Sequence, residues 1–589
     1  MLFLATFVAY VAVRSGTQPV ASFLRANPRS TSAQTTTFQE ANGLRSGFAG
    51  FLRGYFHWLQ HLVGSAGSWP RSIRHQASVG NALREATFNS LRLAVVATLI
   101  GVTAGLALAA LGAKRPGGIL DGVIGSASAV MLTIPVLVVG LAFQLVFASK
   151  MTLFPLGGLY EPGQRGFDPI QMLKYIALPA LTIAFHSTVG FSRSIRPVFE
   201  GLRPQKSPRP RSVVSPVLAA IGPQVGSMLG ALFIAENIFD YPGIGRYFVL
   251  AATDGDLPKL MPLLFSLVIA LILVQFLVRA GSGRDALAAA PRGVWPRISR
   301  RSSIVVVAAV VIGAVAIAPL FARFGFNEHV VDLRLARNQN LKPSGAAWLG
   351  SDAGGFDIFS RIIYGIRGSL LMGFAAAVLS VVIGSVVGAV SGRCGPLLDA
   401  ALQRGYEFFS LIPALVVLIL LRGVLGSVGW VTSIVGDPFS LRFFVVLFAL
   451  VGWVPVARAM RASTGGAADG SSVPLRTSGR LAVSLIPTLI ACAMVAESTL
   501  SFLRLGPGDR AISLGRLFEQ IPIAVGTRHW WIVVFPSAAL AGVAIALHGV
   551  GHLLADADPK VEISVLGDDL AGGEPANSGA NSDRILHRA

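Results

Sequence analysis

The sequence predicts an all-α, polytopic membrane protein with about twelve transmembrane helices in two parallel six-helix halves. Three observations predict it. Only 13% of the 589 residues are charged while 53% are hydrophobic, and soluble domains carry roughly 25% charged residues. The apolar residues gather in runs near the ~20 residues that a bilayer span requires, and mean hydropathy is +0.65. The order of polar landmarks within those runs then repeats itself along the chain.

Taken in order, a short apolar stretch, Met1–Val13, comes first. It lacks the basic start and small-residue cleavage site of a signal peptide, and is short for a span. Five runs follow, near Ala86–Ala113, Gly122–Ala148, Ile170–Ser192, Val214–Ile234 and Leu260–Val278. A second set lies near Ser303–Phe321, Ser369–Val390, Leu397–Leu421, Leu441–Met460, Leu481–Phe502 and Trp531–His552. Prolines inside these runs (Pro135, Pro179, Pro413, Pro487, Pro536) are compatible with spans, because neighbouring helices re-satisfy the backbone. The division that results is a first half over 1–280 with a large external loop at 14–85, a basic linker over 281–302, a second half over 303–560, and a disordered acidic tail over 561–589.

The repeat is parallel. Ser90-Leu91 before one span recurs as Ser369-Leu370 before another. Asp121 ahead of Ile134-Pro135 recurs as Asp399 ahead of Ile412-Pro413. Ala235-Glu236-Asn237 recurs as Ala496-Glu497-Ser498. Parallel repeats occur in secondary transporters too, so the repeat alone does not select a transport class.

The net charge of +20 raises nucleic acid as a partner. Its Lys and Arg sit mostly in alternate short loops, after the second, fourth and sixth runs, which the positive-inside rule explains through membrane topology instead. Both ends are then cytoplasmic. Two cysteines, Cys394 and Cys492, give neither a disulfide framework nor a metal site, and no phosphate-binding G-x-x-x-x-G-K-[ST] loop is present.

Residues Trp348–Gly373 (WLGSDAGGFDIFSRIIYGIRGSLLMG) carry the most specific signal. Leu349-Gly350-Ser351-Asp352, Phe356-Asp357, Ser360-Arg361, Tyr364-Gly365, Arg367 and Ser369-Leu370 fit, in register, the "LGTD..GRD..SR..YG.R.SL" signature of one permease subunit of the dipeptide/oligopeptide/nickel ABC importers. The usual Gly-Arg before the Asp reads Gly355-Phe356 here. Leu178–Thr182 (LPALT) and Glu236–Gly245 (ENIFDYPGIG) resemble segments of the partner permease, and Ala496–Gly506 (AESTLSFLRLG) resembles "aEasLSFLGLG". From about Phe51 to Lys560 the chain looks like a fusion of the two permeases. The resemblance implies a path for peptides, ATP bound on separate ATPase subunits with no cofactor in this chain, a periplasmic or lipid-anchored solute-binding protein, and a bacterial inner membrane.

Three groups of candidate residues follow. Glu236 and Glu497 hold matching places near span ends, where an ionisable group is costly unless it faces a wet cavity or a partner. They are candidates for the substrate path, and the adjacent Pro-Gly turn favours the alternative, an anchor for the following loop. Asp240, Tyr241, Asp352 and Asp357 lie in turn-rich segments that are candidates for docking a binding protein. Arg196, Glu200, Arg203, Arg209, Arg211, Arg461, Arg476 and Arg480 flank the loops where such permeases carry a helix that seats in the ATPase. Here those loops are short, and Pro204, Pro208 and Pro210 oppose a helix, each costing ~3 kcal/mol inside one. His186, within a span, reads as a packed polar residue. The rivals are an ion-driven secondary transporter, a permease-like protein without ATP coupling, and a membrane scaffold. An enzyme is disfavoured because no nucleophile–base pair appears.

Overall fold

The computed structural model describes residues 19–44, 47–63, 78–160, 168–201, 228–281, 339–465 apart from 346, and 475–555 apart from 510, with a few isolated positions besides. Among them the named secondary structure is helical, and a β-bridge joins Ser351 to Asp357. The stretches drawn as spans at Met1–Val13 and Ser303–Phe321, most of Val214–Ile234, the linker and the tail lie largely or wholly outside the described residues.

The first set of helices begins with α1 (Pro19–Ala26), α2 (Ser32–Ala41) and α3 (Gly47–Val63), so the stretch drawn as an external loop contains helices. A capping box between Thr31 and Gln34 starts α2. Then come α4 (Val79–Lys114), α5 (Ile119–Thr133), α6 (Val136–Phe143) continued by a π-helical turn over Gln144–Lys150, α7 (Pro169–Gly201), α8 (Met228–Ile238), α9 (Ile244–Asp254) and α10 (Leu257–Gly281). The second set is α11 (Ile358–Arg393), α12 (Pro396–Leu411), α13 (Ala414–Ser427), α14 (Gly429–Val435), α15 (Leu441–Gly465), α16 (Leu475–Ser484), α17 (Ile486–Phe502), a 3₁₀ turn over Gly515–Gln520, α18 (Ile521–Gly526) and α19 (Trp530–Ala555). Six described helices are long and apolar enough to cross a bilayer, or eight if each bent pair is one span. The protein is a polytopic, all-α membrane protein.

The sequence drew Gly122–Ala148 as one continuous span. The structure breaks it at Ile134-Pro135, where α5 and α6 meet at 97°. Pro135 has no N–H to donate and its ring opposes the preceding turn. The carbonyl of Ile134 accepts a 2.6 Å hydrogen bond from His186 Nε2 of α7, which gives this histidine a packing role. Ile412-Pro413 likewise separates α12 from α13, and a second bend of 98° parts α13 from α14.

Small residues set the closest helix crossings. Along α4, Ala97, Gly101, Gly105 and Ala109 are buried at four-residue spacing, and a side chain at Gly101 or Gly105 would collide with Ser187, Phe191 or Thr188 of α7. Along α11, Ala376, Ser380, Gly384 and Gly388 form the matching seam. A side chain at Gly384 or Gly388 would meet Trp453, Val456, Ala457 or Met460 of α15. In a bilayer no hydrophobic force draws helices together, so such close backbone approach is a main source of association. The two sets also pack on each other. Leu141 and Phe248 share one core with Phe518, Trp531 and Leu540, Ser149 Oγ donates to the Val525 carbonyl at 3.0 Å, and the Lys150 ammonium lies 5.0 Å over the Trp530 ring.

Candidate functional site

At one end of each set, a serine, a glutamate and the amides of the following turn close into a clamp. Ser90 Oγ of α4 donates to Glu236 Oε1 of α8 at 2.5 Å and accepts from the Ile244 amide at 2.8 Å. Glu236 Oε2 accepts from the amides of Gly245 (2.6 Å) and Arg246 (3.3 Å). In the second set Ser369 Oγ of α11 donates to Glu497 Oε2 at 2.9 Å and accepts from the Leu514 amide at 2.9 Å. Glu497 also accepts from Ser513 Oγ (2.7 Å) and the Gly515 amide (3.3 Å). Both carboxylates are 0% exposed. Burying a carboxylate is tolerated when its lone pairs are met, and here each carboxylate is met from three donors. The clamp also explains its glycines, since a Cβ on Gly243 or Gly515 would run into the carboxylate.

The turn beyond each clamp is closed by an ion pair, Asp240 with Arg246 in the first set and Asp509 with Arg516 at 2.7 Å in the second. The aspartate side chains are 68% and 93% exposed. Asp240 also holds a left-handed backbone (φ 51°). Tyr241, next to it, is buried, and its hydroxyl donates to the Asn89 carbonyl at 3.2 Å. Burial pushes its phenol pKa well above the usual range. Of the four candidate docking residues, Asp240 is the exposed one.

Asp352 and Asp357 are 4% and 2% exposed and shape the signature loop internally. Asp352 pairs with Arg361 and accepts from the amides of Gly354 (2.9 Å) and Phe356 (3.0 Å) and from Gln520 Nε2 (3.2 Å). Asp357 caps α11, accepting from the amide (2.8 Å) and hydroxyl (2.7 Å) of Ser360. Phe356, where the resembled signature has Arg, lies 4.8 Å from the Arg361 guanidinium, which Phe326 covers at 4.9 Å. Aromatic faces attract guanidinium at this range. Trp531 Nε1 donates to the Ser351 carbonyl at 3.1 Å, which fastens the loop to α19. Nearby, burial raises the Glu519 pKa against the opposing pull of Arg516.

At the opposite ends of α4 and α11, where Gly112 and Ser391 lie beside it, a second fixture repeats. Arg196 of α7 pairs with Asp121 of α5, its Nη2 donating to Oδ2 at 2.9 Å and its Nη1 lying 2.7 Å from Oδ1. Arg461 of α15 grips Asp399 of α12 at 2.7 and 2.8 Å. Two of the candidate coupling arginines therefore hold carboxylates of their own chain. Arg203, Arg209 and Arg211 lie outside the described residues, as do the side chains of Glu200, Arg476 and Arg480.

Sequence reading treated Ser90, Ser369, Asp121 and Asp399 as markers of the repeat and gave them no chemistry. A polar residue at the same place in both apolar runs was the available signal for each.

A twice-built helical bundle with a buried clamp at one end of each set and a part-buried ion pair at the other fits a membrane permease. No family model matches the chain. Over 252 residues it is 31% identical to the dipeptide transport system permease protein DppC of Bacillus subtilis, covering 40% of this chain and 75% of that protein. It is 27% identical over 282 residues to the oligopeptide transport system permease protein AmiD of Streptococcus pneumoniae, with 46% and 89% covered. It is 28% identical over 241 residues to the oligopeptide transport system permease protein OppC of Mycobacterium tuberculosis, with 38% and 79% covered. The chain belongs to the dipeptide/oligopeptide ABC transport permease family. Each relative takes up under half of this chain, as expected of two permeases fused in one polypeptide.

Proposed function

We propose that this chain forms the whole membrane path of an ABC importer for peptides. A solute-binding protein would deliver cargo at the clamp end, facing outward, and separate ATPase subunits would drive the opposite, basic end. The inner membrane of a bacterium, with both termini cytoplasmic, is the location that goes with this arrangement. The observation that carries the reading is the occurrence of both fixtures in both sets. Each clamp makes α4 or α11 one body with the turn at the outer mouth, and each Arg–Asp pair ties the end of α7 or α15 to the start of α5 or α12. A push on the segments that follow α7 and α15 would then reach the bent α5–α6 element and the α12–α13 element broken at Ile412-Pro413 directly. Alternating access needs such rigid bodies, because ATP can bias only states that differ in their contacts.

In this account Glu236 and Glu497 shape the mouth without touching cargo, and Arg196 and Arg461 are positioning residues. The experiment is uptake of a radiolabelled dipeptide by the native host with the gene deleted and then restored, combined with affinity purification of the tagged chain from those membranes. Loss and recovery of uptake, with an ATPase and a solute-binding protein co-purifying, is the expected result. Unchanged uptake on deletion would refute the reading.

A further inference from the structure

The two sets differ at a place where the repeat aligns them. Gln144 and Arg422 stand at the same distance past the Ile-Pro breaks at Ile134-Pro135 and Ile412-Pro413. Gln144 is spent on its own chain, since its Nε2 donates to the carbonyls of Leu156 (2.8 Å) and Ile238 (3.0 Å), tying the helix to the outer loop and to the end of α8. Arg422 makes no such tie. Its guanidinium carbon lies 4.8 Å over the Phe439 ring and its Nε is buried with no hydrogen-bond partner; among the described residues the exposed Asp437 carboxylate acts on it as a nearby charge, with no hydrogen bond to it. Phe439 is itself fixed. Its amide donates to Asp437 Oδ1 at 2.7 Å and its carbonyl accepts from the Gly508 amide at 2.9 Å, in the loop that follows Glu497. Arg422 is therefore a half-buried cation at the clamp end, with one side against an aromatic ring.

An exposed carboxylate held off by solvent compensates a guanidinium only weakly, so the unbonded donors of Arg422 remain open to a further anion or to water. Its fork of donors matches carboxylate and phosphate oxygens. We propose that Arg422 receives the carboxylate of the cargo as it enters the second set, a contact that Gln144 does not offer in the first. The proposal rests on the peptide-permease reading and deepens it. An anionic lipid headgroup would present the same oxyanion chemistry, and the test separates the two.

The test compares wild type, Arg422→Gln, Arg422→Lys and Phe439→Ala in the restored host, reading KM and maximal rate for a dipeptide with a free C-terminus. Arg422→Gln is expected to raise KM about tenfold, the size of one charge-assisted hydrogen bond, with the maximal rate within about twofold. Arg422→Lys should fall between, and Phe439→Ala should leave KM within about twofold of wild type. A Phe439→Ala chain that copies Arg422→Gln, or an Arg422→Gln chain with only its maximal rate reduced, would make Arg422 a packing residue and overturn the proposal. The lipid arm uses purified chain in nanodiscs of neutral or anionic phospholipid. An anionic-lipid rise in Tm that Arg422→Gln removes, with KM unchanged, would assign the site to lipid instead. A wild-type chain that supports no dipeptide uptake would refute the permease reading itself, and the Arg422 assignment with it.

Discussion

The first and second sets agree in two fixtures, one at each end, and differ around them. Ser90–Glu236 and Ser369–Glu497 close the same clamp, and Arg196–Asp121 and Arg461–Asp399 close the same link at the other end. Elsewhere among the described residues, Gln144 is bonded to its own chain where Arg422 is not, His186 supports one Ile-Pro break, and the Ser351 loop is fastened to α19 in the second set alone. The agreement teaches that the fixtures define the frame of each half, since they survive where the surrounding apolar residues have drifted. The difference teaches that positions outside these fixtures are free to be asymmetric.

The largest effect is expected at the clamps. Replacing Glu497 by Ala leaves buried hydroxyl and amide donors without an acceptor, on the order of 3 kcal/mol, and Glu236→Ala should match it. Thermal unfolding of the detergent-purified chain, followed by tryptophan fluorescence, would check this. A large loss at one glutamate alone would break the equivalence of the halves. Gly515→Ala and Gly243→Ala come next, because each Cβ intrudes on a clamp carboxylate. Overpacking of this kind costs about 1–3 kcal/mol, and the same unfolding assay should show both variants less stable than Gly230→Ala, whose Cβ would meet nothing. The smallest effect should be Asp240→Ala. Its ion pair with Arg246 is largely solvent-exposed, so stability should change by less than ~1 kcal/mol. If Asp240 contacts a binding protein, uptake should fall all the same, and equal uptake at limiting dipeptide would remove it from the docking surface.

Much of the frame was legible in the sequence because membrane burial makes polar residues conspicuous. Glu236 and Glu497 stand out in apolar runs, and the Pro-Gly turn beside Glu236 pointed toward the anchoring geometry now seen. Their partners were not legible, since Ser90 lies 146 residues from Glu236 and Asp121 lies 75 from Arg196. Hydropathy cannot state which helices meet. It also drew Gly122–Ala148 straight, because proline is tolerated in spans and its bend depends on what packs beside it. The Phe356 departure from the resembled signature became intelligible only once its ring was found against Arg361. Arg422 escaped notice because a single arginine at a span end, with no motif around it, carries no signal of its own. Only its bonded counterpart Gln144 makes it unusual.

The central claim is that the repeated end fixtures carry motion through both halves of an importer, and the most direct test is a charge swap at each Arg–Asp link, read by dipeptide uptake. Asp399→Arg and Arg461→Asp alone should each cut uptake about tenfold, and the double variant should recover most of it. Asp121 and Arg196 should behave alike. Single variants that transport normally in either half, or double variants as inactive as the singles in both, would contradict the account.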